Sequence, residues 1–158
     1  MSLSDRIVIL RDGKIAAQGS PRDLYERPNS VWTATFLGDA NCFPVESGVE
    51  REGENQFVRV AGGARVPVIG DDASDGATRT VVVRPENCRI ERQHDGRSAF
   101  IKASVKWVEY LGAVQLVRAT TGETEITADI PGRGETFAPD EKVYVGWKSE
   151  HALVIGND

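Results

Sequence analysis

Residues 101–107, IKASVKW, place Ile101, Ala103, Val105 and Trp107 on one side of an extended chain and Lys102, Ser104 and Lys106 on the other. Successive side chains of a strand point to opposite faces, so this period of two predicts a strand with one face in a core and one in water. Residues 124–130, TEITADI, repeat the pattern: Thr124, Ile126, Ala128 and Ile130 alternate with Glu125, Thr127 and Asp129. Val143, Val145 and Trp147 do so again, and residues 114–119 and 152–155 add apolar runs of strand length. The expected core therefore contains Val105, Trp107, Ile126, Ile130, Val143, Val145 and Trp147.

The same texture extends upstream to Cys42. Residues 57–60 and 65–69 flank Gly62-Gly63, Val81-Val82-Val83 precedes Pro85, and residues 88–92 lead into Asp95-Gly96. Short β-type runs alternate with turn signals and no long helical period appears. The fold class predicted for this part is mainly β, one or two small antiparallel barrels of the OB type. Residues 70–78, GDDASDGAT, read as a solvated loop.

The first forty residues differ. Residues 6–19, RIVILRDGKIAAQG, predict a β-hairpin. Ile7 to Leu10 is a continuous apolar run, the pattern of a strand buried on both faces. Asp12-Gly13 supplies the turn, since both residues tolerate positive φ. Two short helices follow. Ser20 is a good N-cap, Pro21 suits the first helical position and Asp23 sits three residues after the cap. Leu24 and Tyr25 anchor its inner face, and Pro28 stops it. The second helix is predicted over residues 30–37, with Gly38 in a left-handed closing position.

With 158 residues, 40% of them hydrophobic, the chain supplies a sizeable core. A net charge of −5 argues against non-specific nucleic-acid binding, which needs Lys and Arg to neutralise phosphates. No run approaches the roughly 18 apolar residues of a membrane helix, and no charged stretch followed by an apolar run opens the chain as a secretory leader would. Cys42 and Cys88, the only cysteines, lack CxxC spacing and read as two reduced thiols.

Ser4-Asp5-Arg6-Ile7, then Gly13, Ile15, Gly19, Pro21, Tyr25, Pro28, Phe36-Leu37-Gly38 and Asn41 are similar, in order and spacing, to a stretch of the ATP-binding subunits of bacterial ABC importers. That stretch follows the switch-histidine loop and leads into the regulatory domain. Trp32 and Thr33 depart from the Phe and Val usual there. Arg84-Pro85-Glu86 and residues 105–112, VKWVEYLG, resemble recurrent segments of the family's transport-associated OB-type (TOBE) domain, with Asn87 and Cys88 replacing its usual acidic and aliphatic residues. The resemblance comes closest to the group that imports polyamines, ferric iron or phosphonates, with polyamine import the first expectation. It divides the chain into residues 1–40, a remnant of the nucleotide-binding domain, and residues 41–158, the regulatory domain. It implies a peripheral position at the cytoplasmic face of the inner membrane. It also implies permease subunits and a second ATPase subunit as partners, with ATP and Mg as cofactors of the parent subunit.

The chemistry of ATP hydrolysis is not written in these residues. A phosphate loop needs a Gly-rich turn whose N–H groups cradle the phosphates, ending in Lys and Ser or Thr. The only Gly-Lys is Gly13-Lys14; Ile15 follows it, and Val8 stands where the first Gly belongs. No catalytic, cofactor-binding or metal-ligating residue is assigned. His94 and His151 read as surface residues. Asp71, Asp72 and Asp75 fit no EF-hand spacing. Trp107, Tyr110 and Trp147 have the chemistry of a base-stacking face, as in some OB folds, but their alternation favours core packing.

The leading function is a non-catalytic regulatory and dimerisation module. The alternative is an oxyanion-type small-ligand sensor, since related domains bind oxyanions. The hairpin, cut off from its original sheet, predicts a homodimer. Candidate subunit contacts are Ile7, Ile9, Leu10, Ile15, Arg84, Glu86 and Tyr110; Arg84 and Glu86 read equally well as a local turn pair.

Overall fold

The computed structural model describes residues 4–60, 62–69, 78–94 and 100–156. The chain opens with β1 (Ile7–Arg11) and β2 (Lys14–Gly19), an antiparallel pair. The turn between them has positive φ at both Asp12 (51°) and Gly13 (75°), as a two-residue hairpin turn requires. Two helices follow, α1 (Pro21–Glu26) and α2 (Val31–Leu37). Both start where the caps predicted. Ser20 Oγ accepts from the Asp23 N–H and Ser30 Oγ from the Thr33 N–H, each at 3.1 Å. Gly38 closes α2 at φ 158° and ψ 175°, an extended conformation in place of the compact left-handed one expected.

The remainder is antiparallel β. Strand β9 (Phe100–Tyr110) is the centre of a five-stranded sheet. It pairs with β10 (Val114–Thr121) on one side and β12 (Lys142–Gly146) on the other. Outside these lie β11 (Thr124–Pro131), next to β10, and β8 (Arg89–Glu91), next to β12. A second sheet has β7 (Arg79–Val83) between β3 (Asn41–Pro44) and β13 (Ala152–Gly156). A third has β5 (Asn55–Val60) between β4 (Glu50–Glu52) and β6 (Ala64–Val68). Single bridges stitch the smaller sheets together, Val45 to Val60 and Ile69 to Leu153.

All three sheets turn their apolar faces onto one core. Phe43, Val58, Val66, Val81, Ile101, Val105, Val117, Ile126, Val143 and Val145 are buried in it, and the ring of Trp147 stacks on Phe43 at 5.2 Å. Ile130 packs against this core half-buried. A smaller cluster joins Ile9 and Ala17 of the hairpin to Leu24.

Two expectations fail on particular side chains. Trp107 is 36% exposed, with the Arg118 guanidinium over its ring at 5.0 Å. The cause is a bulge: Ala119 faces Val105 while the neighbouring Arg118 faces Trp107, so Lys106 is an extra residue. One inserted residue moves every later side chain to the opposite face. Val108 takes the core side and Trp107 the outer one. On β1, burial is one-sided: Ile9 is buried while Val8 and Leu10 are 50% and 63% exposed. The apolar run expected to be covered on both faces is covered on one. The loop at 70–77, with Asp71, Asp72 and Asp75, and Asp95-Gly96 lie outside the described residues.

Candidate functional site

The most elaborate polar arrangement lies where the helices meet the β domain. Arg84 follows β7 directly, and a single 3-10 turn over Pro85–Asn87 carries the chain on to β8. The Arg84 side chain is only 6% exposed. Its Nη1 lies 2.8 Å from the carbonyl oxygen of Ala34 and 3.0 Å from those of Gly38 and Asp39, and its Nη2 donates to Tyr25 O at 3.1 Å. The last carbonyls of a helix lack intrahelical partners and carry its negative dipole end. One guanidinium thus satisfies the ends of α1 and α2 together. Arginine suits the place because its planar fork presents several donors at fixed angles.

Tyr25 closes the arrangement. Its ring lies 4.0 Å from the Arg84 guanidinium carbon, a cation–π contact, and its hydroxyl donates to Glu86 Oε1 at 2.8 Å. Burial foremost, then the Glu86 carboxylate, pushes the Tyr25 hydroxyl up to about 12, so it remains a donor at neutral pH. Arg84, Pro85 and Glu86 therefore embrace Tyr25 from two sides, with Pro85 buried between them.

A second polar device lies on β3. The Asn41 carboxamide accepts from Thr127 N–H at 2.7 Å and donates to Thr127 O at 2.8 Å. Its Nδ2 also lies 3.2 Å from Cys88 Sγ. Thr127 belongs to β11, the edge of the five-stranded sheet, so this side chain bridges two sheet edges. Cys42 and Cys88 are both free thiols. Burial raises both, Cys88 to about 12. Burial raises the Asp129 carboxyl as well, helped by the nearby Glu86 and Asp39 charges.

The expected contact residues fall into separate groups. Ile7 and Ile9 pack inward on Leu24, Trp32 and Leu37, while Leu10 and Ile15 face outward at the hairpin. Arg84 is spent within the chain, gripping the helices. Glu86 is exposed and held by Tyr25, and Tyr110 is exposed at the far end of β9. His151 is exposed, whereas His94 is half-buried, its ring edge-on to Tyr144 at 4.3 Å. The roles of Tyr25 and Asn41 were not apparent from sequence. Among the described residues no group of His, Cys, Asp or Glu converges as a metal site, and no helix is long and apolar enough to cross a membrane.

The fold and this junction define a class, an OB-type antiparallel β domain joined through a buried arginine to a short helical segment. Residues 81–155 match the TOBE domain model. Over nearly its whole length the chain is similar to importer ATPases. One is the spermidine/putrescine import ATP-binding protein PotA of Rubrobacter xylanophilus, 31% identical over 99% of this chain and 42% of that protein. The corresponding protein of Vibrio vulnificus is 34% identical, covering 100% and 43%. The alpha-glucoside transport ATP-binding protein AglK of Rhizobium meliloti is 34% identical, covering 99% and 44%. The chain therefore spans less than half the length of these relatives. Its fold also matches the cytoplasmic molybdate-binding protein ModG, with a TM-score of 0.59 at 16% identity over 76% of this chain and 96% of ModG. Residues 81–155 belong to the TOBE family, and the chain as a whole is similar to part of the ATP-binding subunits of ABC importers.

Proposed function

We propose that this chain is the non-catalytic regulatory and dimerisation module of an importer ATP-binding subunit, with residues 1–40 contributed by the nucleotide-binding domain and residues 41–158 forming the regulatory domain. The parent subunit hydrolyses ATP with Mg and works with permease subunits and a second ATPase subunit at the cytoplasmic face of the inner membrane. Polyamines are the proposed solute; the relatives named for spermidine and putrescine support this, and the one named for alpha-glucosides marks the competing class.

The observation that carries the reading is the Arg84 junction. An arginine of the β domain holds the backbone ends of both helices that lead out of the ATPase, so a displacement of either part is felt by the other. A contiguous packed contact of this kind is a physical route along which coupling between domains travels.

Two measurements test it. Calorimetry with Mg present should detect no ATP binding by this chain, and no phosphate should be released; micromolar ATP affinity refutes the non-catalytic assignment. In the whole importer, Arg84→Lys should leave ATP hydrolysis running while solute accumulation falls. Transport unchanged by that substitution refutes the coupling role.

A further inference from the structure

Beside the Arg84 junction a cleft of about 390 Å3 lies between α1, the Pro85–Asn87 turn and β13. Its floor is apolar, built from Pro28, Ile69, Val82 and Leu153. Its rim is charged, and most of those charges are compensated. Arg22 pairs with Glu26 at 2.8 Å, and Glu150 lies 3.6 Å from Lys148. Arg84 and Glu86 offset each other across Tyr25, the guanidinium on its ring and the carboxylate at its hydroxyl. Arg27 is left over. Its guanidinium makes no hydrogen bond or ion pair with another described residue, and the carboxamide of Asn87 in the same cleft is likewise unpartnered.

We propose that this cleft binds a small monocarboxylate with an aliphatic body. The carboxylate is received by the Arg27 fork and the Asn87 amide, and the body lies on Ile69, Val82 and Leu153. The volume is that of a small-molecule site. Guanidinium and carboxylate match in geometry as well as charge. Covering the floor removes apolar surface from water, which an inorganic oxyanion leaves wet. At Arg27 a cationic ligand meets a charge of its own sign. Arg27 and Pro28 come from the helical segment and Asn87, Ile69 and Leu153 from the β domain, so the ligand bridges the two parts. Binding to this chain does not depend on the coupling role proposed above, and the two fail separately.

The test uses the chain with three probes: hexanoate, hexylamine and inorganic phosphate. Calorimetry and amide chemical-shift changes should give saturable hexanoate binding with Kd below about 1 mM. Phosphate and hexylamine should bind at least about tenfold more weakly. Arg27→Ala should cost about tenfold, the factor carried by a hydrogen bond to a charged group, and Ile69→Asp a similar loss. Both side chains are exposed, so each variant should keep the parent's circular dichroism and melting point. Failure of hexanoate to saturate up to about 10 mM overturns the proposal. So does hexanoate affinity unchanged by Arg27→Ala, or phosphate binding as tightly as hexanoate.

Discussion

The carboxamide of Asn41 pairs with the main chain of Thr127 as a neighbouring strand would, taking its N–H at 2.7 Å and giving to its carbonyl at 2.8 Å. One side chain thereby does the work of a peptide unit across the seam between β3 and β11. Asn41→Ala removes both bonds and leaves the backbone groups of Thr127 without them. Urea unfolding should show a loss of about 2–4 kcal/mol, the sum for two such groups. Asn41→Asp keeps the acceptor but turns an anion toward the Thr127 carbonyl. Its stability should fall further as pH rises, because the buried carboxyl stays protonated to higher pH in the folded chain than in the unfolded one.

The two central tryptophans should respond differently to truncation. Trp147 is buried, stacks on Phe43 and donates its indole N–H to Pro67 O at 3.0 Å. Trp147→Ala should cost about 3–5 kcal/mol in denaturant unfolding. Trp107, displaced outward by the Lys106 bulge, should cost under about 2 kcal/mol on the same change. Equal losses at the two sites contradict the bulge.

Asp129 supplies a pH signature. One of its oxygens, Oδ1, is buried without a hydrogen-bond partner, and its carboxyl is raised from the ordinary 3.8. The folded chain therefore binds a proton more tightly than the unfolded one. Its contribution to stability is intact below the unfolded value and is lost as pH rises through the folded one. Asp129→Asn should raise the melting point at pH 7 and change it little at about pH 3, below the ordinary 3.8, where both states are largely protonated. A variant equally shifted at both pH values refutes the assignment.

Self-association through the hairpin is tested on its uncovered face. Val8, Leu10 and Ile15 project there, and both hairpin edges are free of strand partners among the described residues. Open edges beside exposed apolar side chains invite pairing with another chain. Light scattering should report a dimer at tens of micromolar, and Leu10→Glu with Ile15→Lys should dissociate it. A monomeric parent chain refutes the dimer, and a dimer indifferent to both substitutions moves its interface onto the β domain.

Much of the fold was legible because its signals are local. Ser20 and Ser30 announce their helices through a hydroxyl and the N–H three residues on. The alternation at Ile101, Ala103 and Val105 states which face of β9 is inside. It fails at Lys106, since a bulge adds a residue without altering the kinds of residue around it. The junction was less legible for a different reason. Arg84 and Asn41 find partners 45 to 86 residues away, and most of those partners are main-chain groups, which leave no trace in side-chain pattern. Arg84-Pro85-Glu86 stands out as a motif, but its residue types are the same for a contact with a neighbour and for one within its own chain.

Every acceptor that Arg84 uses is a carbonyl common to all amino acids. The grip is therefore blind to the identity of most residues it holds, asking only for two helix ends at the right separation and an aromatic ring to lie against. A joint of that kind is portable. The helices can drift in sequence, and one β domain can be exchanged for another behind the same arginine, without the seam having to be reinvented. Such a seam constrains backbone geometry and the residue at position 25, and leaves the rest of both surfaces free to vary.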